Sequence, residues 1–192
     1  MIKSVIFDCF GVLTEDGWLA FVGKYRTPEN ADELGYLNHQ LDKGLIEYTE
    51  FLEEVCKVTG VEKNEVHKMV TTSHHPNEIL FEYIQQLKNA GYVLGVISNV
   101  GAPLNDYLPQ KLVDLFDHIT LSYEVGVIKP DPRIYEYCIE RIGFAPAECV
   151  FIDDREPNVQ GAINVGMKGL LYQNTVDLIR ELAQLGVKPN LS

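Results

Sequence analysis

Five short runs of apolar and β-branched residues recur along the chain with helical patterns between the later ones, and this alternation restricts the fold more than any other feature. The runs are Ser4–Asp8, Tyr92–Ser98, His118–Leu121, Cys149–Asp153 and Lys168–Tyr172. Apolar residues recur at helical spacing over Asn77–Ala90, Leu104–Leu115, Pro132–Ile142, Pro157–Val165 and Val176–Leu185, and several of these stretches are closed by a glycine, as at Gly91, Gly143, Gly166 and Gly186. Strand–helix–strand alternation implies parallel strands, and a parallel sheet must be covered on both faces. The pattern therefore predicts an α/β fold with a doubly wound, parallel, Rossmann-like sheet of five core strands.

The interval from about Asp16 to Ser73 breaks the alternation. It holds helical patterns only, among them "ADELGYLNHQLDKG" and "YTEFLEEVCKVTG", with no strand between them. An all-helical insertion after the first strand is expected to stand over the C-terminal edge of the sheet, where open α/β sheets place their ligands. The domain division that follows is a core of residues 1–14 and 76–192 with a small helical cap of residues 15–75. No internal repeat or low-complexity tract interrupts this plan.

Composition narrows the partners. With 192 residues the chain can bury a substantial core, and its formal net charge of -12 would repel a nucleic-acid backbone or an anionic membrane surface. No apolar stretch approaches the roughly 18 residues that a bilayer span requires; "YVLGVISNVGAPL" is broken by Asn99, Gly101 and Pro103. The four cysteines, Cys9, Cys56, Cys138 and Cys149, lack metal-ligand spacing, and Met1-Ile2-Lys3 leads straight into a strand. The expectation is a cytoplasmic protein with reduced thiols and no nucleic-acid or membrane partner; nothing in the sequence speaks to oligomeric state.

Four polar signals fall just past strand ends: Asp8, the pair Ser98-Asn99, Lys129 in "VGVIKPDP", and the pair Asp153-Asp154 in "VFIDDREPN". Taken singly each has an ordinary explanation as a turn residue, a helix cap or a solvated charge. In a parallel sheet, however, strand ends of one sense share one edge, so the four converge. Asp8 can then serve as a carboxylate nucleophile that splits a hard displacement into two easier ones. Three carboxylates brought together raise one another's pKa unless a cation sits among them, and oxygen-only ligands suit Mg²⁺. Ser98 and Asn99 precede a turn and a helix start, a ready seat for an anion, while prolines stiffen the loop that aims Lys129. His67, His74 and His75 read as solvated helix-end residues, Cys9 as packing on the opposite face of its strand, and Arg26, Arg133 and Arg155 as surface charges.

At these motifs the chain resembles the haloacid dehalogenase-like hydrolase superfamily over essentially its whole length. "FDCFGVL", "ISN", "GVIKPDPRIY" and "VFIDDREPNVQGAINVGM" are similar to its four motifs in order, and "GLIEYTEFLEEV" resembles part of its helical cap. The paired aspartates look most like the subfamily IA branch that includes sugar-phosphate phosphatases and the N-terminal domain of soluble epoxide hydrolase. The resemblance implies that Asp8 is the nucleophile, that Ser98 and Asn99 hold the transferring phosphoryl oxygens, and that Lys129 steadies the charge. It further implies Mg²⁺ held by Asp8, the backbone carbonyl of Phe10 and Asp153, with Asp154 in or next to the shell, and a small phosphorylated metabolite as substrate.

One position departs from that pattern. Family phosphatases mostly carry a second aspartate where this chain has Phe10, and losing a positioned general acid costs about 10²–10⁴ in rate. Two alternatives follow. A metal-independent 2-haloacid dehalogenase needs no proton for its leaving group, although those enzymes carry serine where this chain has Asp153. A non-catalytic protein that binds a phosphorylated ligand or a partner would also tolerate Phe10.

Overall fold

A computed structural model of the chain describes residues 1–72 and 75–189. The first strand, β1 (Ser4–Phe7), is followed by four helices with no strand between them: α1 (Gly17–Tyr25), α2 (Ala31–Asp42), α3 (Tyr48–Thr59) and α4 (Lys63–Thr72). The chain then runs through α5 (Glu78–Asn89), β2 (Val93–Ser98), a 3₁₀ turn at Leu104–Asp106, α6 (Gln110–Val113), β3 (His118–Leu121) and α7 (Ser122–Val125). It ends with α8 (Pro132–Ile142), β4 (Cys149–Asp153), α9 (Glu156–Asn164), β5 (Lys168–Leu171) and α10 (Thr175–Gln184). The strands pair in parallel in the order β3-β2-β1-β4-β5.

Side-chain alternation divides the buried residues between the two faces of the sheet. Val5, Phe7, Leu94, Val96, Val150 and Ile152 pack with Leu80, Ile84 and Leu87 of α5 and Leu178 and Leu182 of α10. Ile6, Ile97, Cys149 and Phe151 face the other way, onto Ile134, Tyr135, Cys138 and Ile139 of α8 and Ala162 of α9. Each fully buried Ile, Leu or Phe contributes about 1.5–3 kcal/mol, so the continuous apolar runs in the strands reflect burial on both sides. The sequence also stops the helices: Asp131 caps α8, Pro132 opens it, and Gly143 at φ +78° closes it.

One expected element is different. The helix read over Leu104–Leu115 is a 3₁₀ turn followed, after Pro109, by the four residues of α6. Proline has no amide hydrogen and disfavours the helical conformation in the residue before it. Apolar spacing across Leu104, Leu108 and Leu112 is real, since Leu104 and Leu108 are buried and Leu112 packs beside them, but the backbone cannot run through as one helix.

The four helices after β1 gather a third apolar cluster of their own from Phe21, Leu34, Leu37, Leu41, Phe51, Leu52, Val55, Val66 and Val70. Asn77 secures the return to the sheet: its backbone amide bonds the Leu13 carbonyl at 2.8 Å, and its side chain donates to the Tyr172 hydroxyl at 2.7 Å. The helical layer is also pinned at the far end of α2. Ser122 Oγ donates to the Asp42 carbonyl while accepting the Val100 amide at 2.9 Å, which ties the end of α2 to the loops after β2 and β3. Gly44, at φ +67°, lies so close to this junction that a Cβ would sit 2.6 Å from the Tyr123 carbonyl oxygen.

No helix among the described residues is long and apolar enough to cross a membrane. All four cysteines are free; Cys9, Cys138 and Cys149 are buried and Cys56 is partly so.

Gly44→Ala is expected to destabilise the protein by ~1–2 kcal/mol from the left-handed backbone alone, and by more from the clash with the Tyr123 carbonyl. Urea denaturation checks it, and a variant as stable as the parent would refute so tight a junction.

Candidate active site

The chain winds from β1 out to β2 and β3, then crosses back to β4 on the other side of β1. The reversal leaves a crevice beyond the carboxyl ends of β1 and β4, where a doubly wound sheet binds ligands. Phe7 pairs with Ile152, so the next residues, Asp8 and Asp153, stand side by side at that edge, on the face that carries Ile6 and Phe151. Cys9 turns to the opposite face and is wholly buried in apolar surroundings.

Lys129 joins the two carboxylates. Its Nζ lies 2.6 Å from Asp8 Oδ1 and 2.7 Å from Asp153 Oδ2, with the Phe151 ring centroid 5.2 Å away, and all three charged side chains are buried. Burial pulls the Lys129 ammonium down, and the charges of Asp8 and Asp153 more than offset it. Asp8 is pushed well above the usual carboxylate range by burial, against the pull of Lys129, with Asp153 adding to the rise. Its Oδ1 also accepts the Cys9 amide at 2.6 Å. Among the described residues no hydrogen bond reaches Asp8 Oδ2.

Asp153 is held more completely. Asn158 Nδ2 donates to both carboxylate oxygens at 3.0 Å, and the Arg155 amide donates to Oδ1 at 2.9 Å. Asn158 lies in the first turns of α9, and the wholly buried Tyr135 donates from its hydroxyl to the Asn158 carbonyl at 2.8 Å. Asp154 is exposed and comes so near Gly11 that a Cβ there would lie 2.5 Å from Asp154 Oδ2. Gly11, at φ +85°, is the position where the β1 loop can pass this carboxylate. Partial enclosure of its carboxyl group by the surrounding loops, and then the Asp153 charge, raise the Asp154 pKa.

One oxygen from each of Asp8, Asp153 and Asp154 lies within 4.8 Å of the others. Three carboxylates against the single ammonium of Lys129 leave two negative charges, a donor set suited to a hard divalent cation.

Ser98 is wholly buried at the end of β2, and among the described residues its hydroxyl has no hydrogen-bond partner. It does not itself border the cavity, which is bounded there by Asn99, Val100 and Gly101. The Asn99 side chain is committed to the neighbouring loop: Nδ2 donates to the Lys129 carbonyl at 3.1 Å and Oδ1 accepts the Lys129 amide at 2.8 Å. Asn99 thus fixes the loop that aims Lys129, whose peptide bond to Pro130 is cis. Phe10 borders the cavity and meets the Tyr107 ring edge-on, with centroids 5.1 Å apart.

The cavity above these groups measures about 440 Å³, a size suited to a small organic ligand. Its far wall comes from the helical layer and includes Asp16, Trp18, Asn38 and Asp42. Arg155 is exposed, as expected, and it also borders the cavity. Arg26 and Arg133 are exposed as expected, Arg133 being paired with Asp131 at 2.6 Å. His67 bonds the Tyr48 hydroxyl at 3.0 Å, His75 pairs with Glu15 at 3.1 Å, and His74 lies outside the described residues.

Replacing Lys129 by methionine would leave Asp8 and Asp153 buried together, with an expected loss of about 3–5 kcal/mol. Lys129 lowers the folded pKa of Asp8, so without it that value climbs further above the unfolded one, about 3.9. A carboxyl whose folded pKa exceeds its unfolded pKa loses stability as pH rises between the two. The deficit of Lys129→Met should therefore be larger at pH 8 than at pH 5 when metal-free proteins are denatured in urea; equal deficits would contradict this electrostatic account.

Comparisons with known proteins agree with the fold. The haloacid dehalogenase-like hydrolase family matches residues 2–166. The chain is similar to the sesquiterpene phosphatase astK of Aspergillus oryzae, at 30% identity over 95% of this chain and 96% of that one. It is 27% identical to bifunctional epoxide hydrolase 2 of Rattus norvegicus over 76% of its own length, which spans only 30% of that longer relative. Among solved structures, a HAD-like family hydrolase from Porphyromonas gingivalis superposes with TM-score 0.78 at 24% identity, covering 98% and 99% of the two chains. The HAD family enzyme BT-2542 of Bacteroides thetaiotaomicron, solved as a mutant in complex with magnesium and inorganic phosphate, gives 0.73 at 24% identity, covering 90% of this chain and 95% of that one. Strand order, the carboxylate edge and the extent of the family match together place this chain in the haloacid dehalogenase-like hydrolase family.

Proposed function

We propose that this protein is a Mg²⁺-dependent phosphohydrolase that acts on a small phosphate monoester through an aspartyl-phosphate at Asp8. The observation that carries the reading is the buried Asp8–Lys129–Asp153 cluster, with Asp154 beside it, at the floor of a cavity of about 440 Å³. An excess of carboxylate at the edge of a ligand cavity repels a bare carboxylate substrate, but it suits a divalent cation paired with a phosphate. The resemblance to a relative named a phosphatase, and to a fold solved with magnesium and phosphate, supports the same choice.

In this reading Asp8 Oδ2 attacks phosphorus while the contacts of Oδ1 to Lys129 and the Cys9 amide hold the carboxylate in place. Lys129 counters charge as it shifts from Asp8 to the phosphoryl oxygens. The backbone after β2, at Asn99, Val100 and Gly101, receives those oxygens, next to the buried Ser98 hydroxyl, which has no partner among the described residues. Asp8, the Phe10 carbonyl, Asp153 and Asp154 would hold Mg²⁺, which when bound supplies positive charge against the phosphate. Asn158 keeps Asp153 oriented toward the cluster. Helices α1–α4 act as a cap whose inner wall meets the alcohol portion of the substrate.

Hydrolysis of p-nitrophenyl phosphate with and without Mg²⁺ tests the reading. Activity should require the metal and disappear in Asp8→Asn. Metal-independent halide release from 2-chloropropionate, or Mg²⁺ binding without turnover of any phosphate ester, would overturn it.

Mg²⁺ should also stabilise the protein, by about 2.7 kcal/mol at a hundred times its Kd, and Asp154→Asn should reduce that gain. Thermal denaturation across a Mg²⁺ titration measures both, and a variant with an undiminished shift would remove Asp154 from the metal's surroundings.

A further inference from the structure

We propose that Asp42, carried on α2 in the helical layer, is the general acid that protonates the leaving oxygen in place of the carboxylate absent at Phe10; this rests on the phosphohydrolase reading above. Phosphoryl transfer keeps the attacking and leaving oxygens roughly in line. Asp8 attacks from the sheet edge, so the leaving oxygen lies on the opposite side of phosphorus, toward the helical layer. A proton donor must therefore come from that wall. The Phe10 side chain, edge-on to Tyr107, offers none.

Two carboxylates of the helical layer border the cavity, Asp16 and Asp42. Asp16 accepts the Leu19 amide at 2.9 Å as the cap of α1, which commits Oδ1 to the start of that helix. Asp42 is differently placed. It is half-buried, its Oδ2 accepts from Asn38 Nδ2 at 2.9 Å, and among the described residues no hydrogen bond reaches Oδ1. The carbonyl of the same residue is anchored by Ser122 Oγ, so the carboxyl is mounted where the helical layer meets the core.

Burial at this wall favours a proton on Asp42. Burial raises its pKa to about 7, with the Asp16 charge adding to the rise, while the Asn38 bond, Lys129 and Arg155 pull the other way. Tyr107, which also borders the cavity and feels the Asp42 charge, is itself pushed far up by burial and is a poor donor at neutral pH. A group that titrates near the operating pH is best suited to give a proton and take it back.

The proton balance closes over both half-reactions. In the first, the bond from Asp8 oxygen to phosphorus forms, the bond from phosphorus to the ester oxygen breaks, and the Asp42 proton moves to that oxygen to release the alcohol. In the second, Asp42 carboxylate takes a proton from water as water attacks phosphorus. The bond to Asp8 then breaks, inorganic phosphate leaves, and Asp42 is neutral again.

The test compares hexyl phosphate, whose alkoxide needs a proton, with p-nitrophenyl phosphate, whose leaving group needs little. Asp42→Asn should lower kcat/KM, which reports the alcohol-releasing half-reaction, by about 10²–10⁴ on hexyl phosphate and by only a few-fold on p-nitrophenyl phosphate, while kcat falls on both through the shared attack of water; Asp42→Glu should recover part of the loss. The wild-type protein gives an independent reading if the variant folds poorly: its preference for the better leaving group should be small at pH 6 and steep at pH 9. Equal losses of kcat/KM on both esters, no loss on either, or a preference that ignores pH would overturn the role of Asp42 while leaving Asp8 chemistry intact. Absence of Mg²⁺-dependent hydrolysis of both esters by the wild-type protein would instead remove the phosphohydrolase reading, and this inference with it.

Discussion

Lys129 sits between two carboxylates that it cannot fully neutralise, and the rest of the site is arranged around that imbalance. Bringing an ammonium and two carboxylates out of water costs several kcal/mol per ion. The contacts of 2.6 and 2.7 Å offset much of this, and the Cys9 and Arg155 amides together with Asn158 complete the bonding of the carboxylates. With both carboxyl groups ionised one negative charge remains on the trio, and an ionised Asp154 adds another. A protein gains no stability by burying such an excess; the arrangement is useful when a cation and an anion arrive together.

Topology makes the cluster possible. Asp8 and Asp153 lie far apart in sequence and come side by side because β4 returns to pair with β1 after β2 and β3 have formed on its other flank. The same parallel geometry delivers the loops after β2 and β3 to this edge. There Asn99 and Lys129 fasten to each other through the reciprocal bonds of the Asn99 carboxamide. Tyr135 extends the support below the edge, since it packs edge-on against Phe151 and bonds the backbone of the residue that orients Asp153. Rigidity in the floor is thus built from side chains on both strands and on α8 and α9.

This division explains what the sequence could reveal. Asp8, Lys129 and Asp153 were legible because each ends or follows a strand, and the period of a parallel sheet fixes where strand ends go. Asn158 carried a weaker signal, an amide one helical turn into α9, whose role depends on how α9 tilts over β4. Arg155 and Asp42 could not be placed, because their position depends on how loops and the helical layer dock on the sheet edge, and docking depends on contacts such as Ser122 with Asp42 that join residues 80 positions apart. The helix expected over Leu104–Leu115 failed for a local reason. Its apolar spacing outweighed Pro109 in the reading, although in the folded chain the proline interrupts the backbone and the spacing is satisfied by packing alone.

Phe10 has a physical consequence for the division of labour between sheet and helical layer. An aspartate there would put a second carboxylate on the same short loop as Asp8, facing an aromatic ring. Phenylalanine instead packs with Tyr107 and keeps that part of the cavity apolar. Charge is then sorted by side: the floor carries carboxylates matched to Lys129 and a divalent ion, and the opposite wall carries Asp42 in surroundings that favour its neutral form. Separating Asp8 and Asp42 reduces the repulsion that would otherwise make the two carboxyl groups compete for one proton. In the proposed mechanism, acid catalysis by Asp42 then depends on the junction that holds α2 against the core, where Ser122 anchors the Asp42 carbonyl.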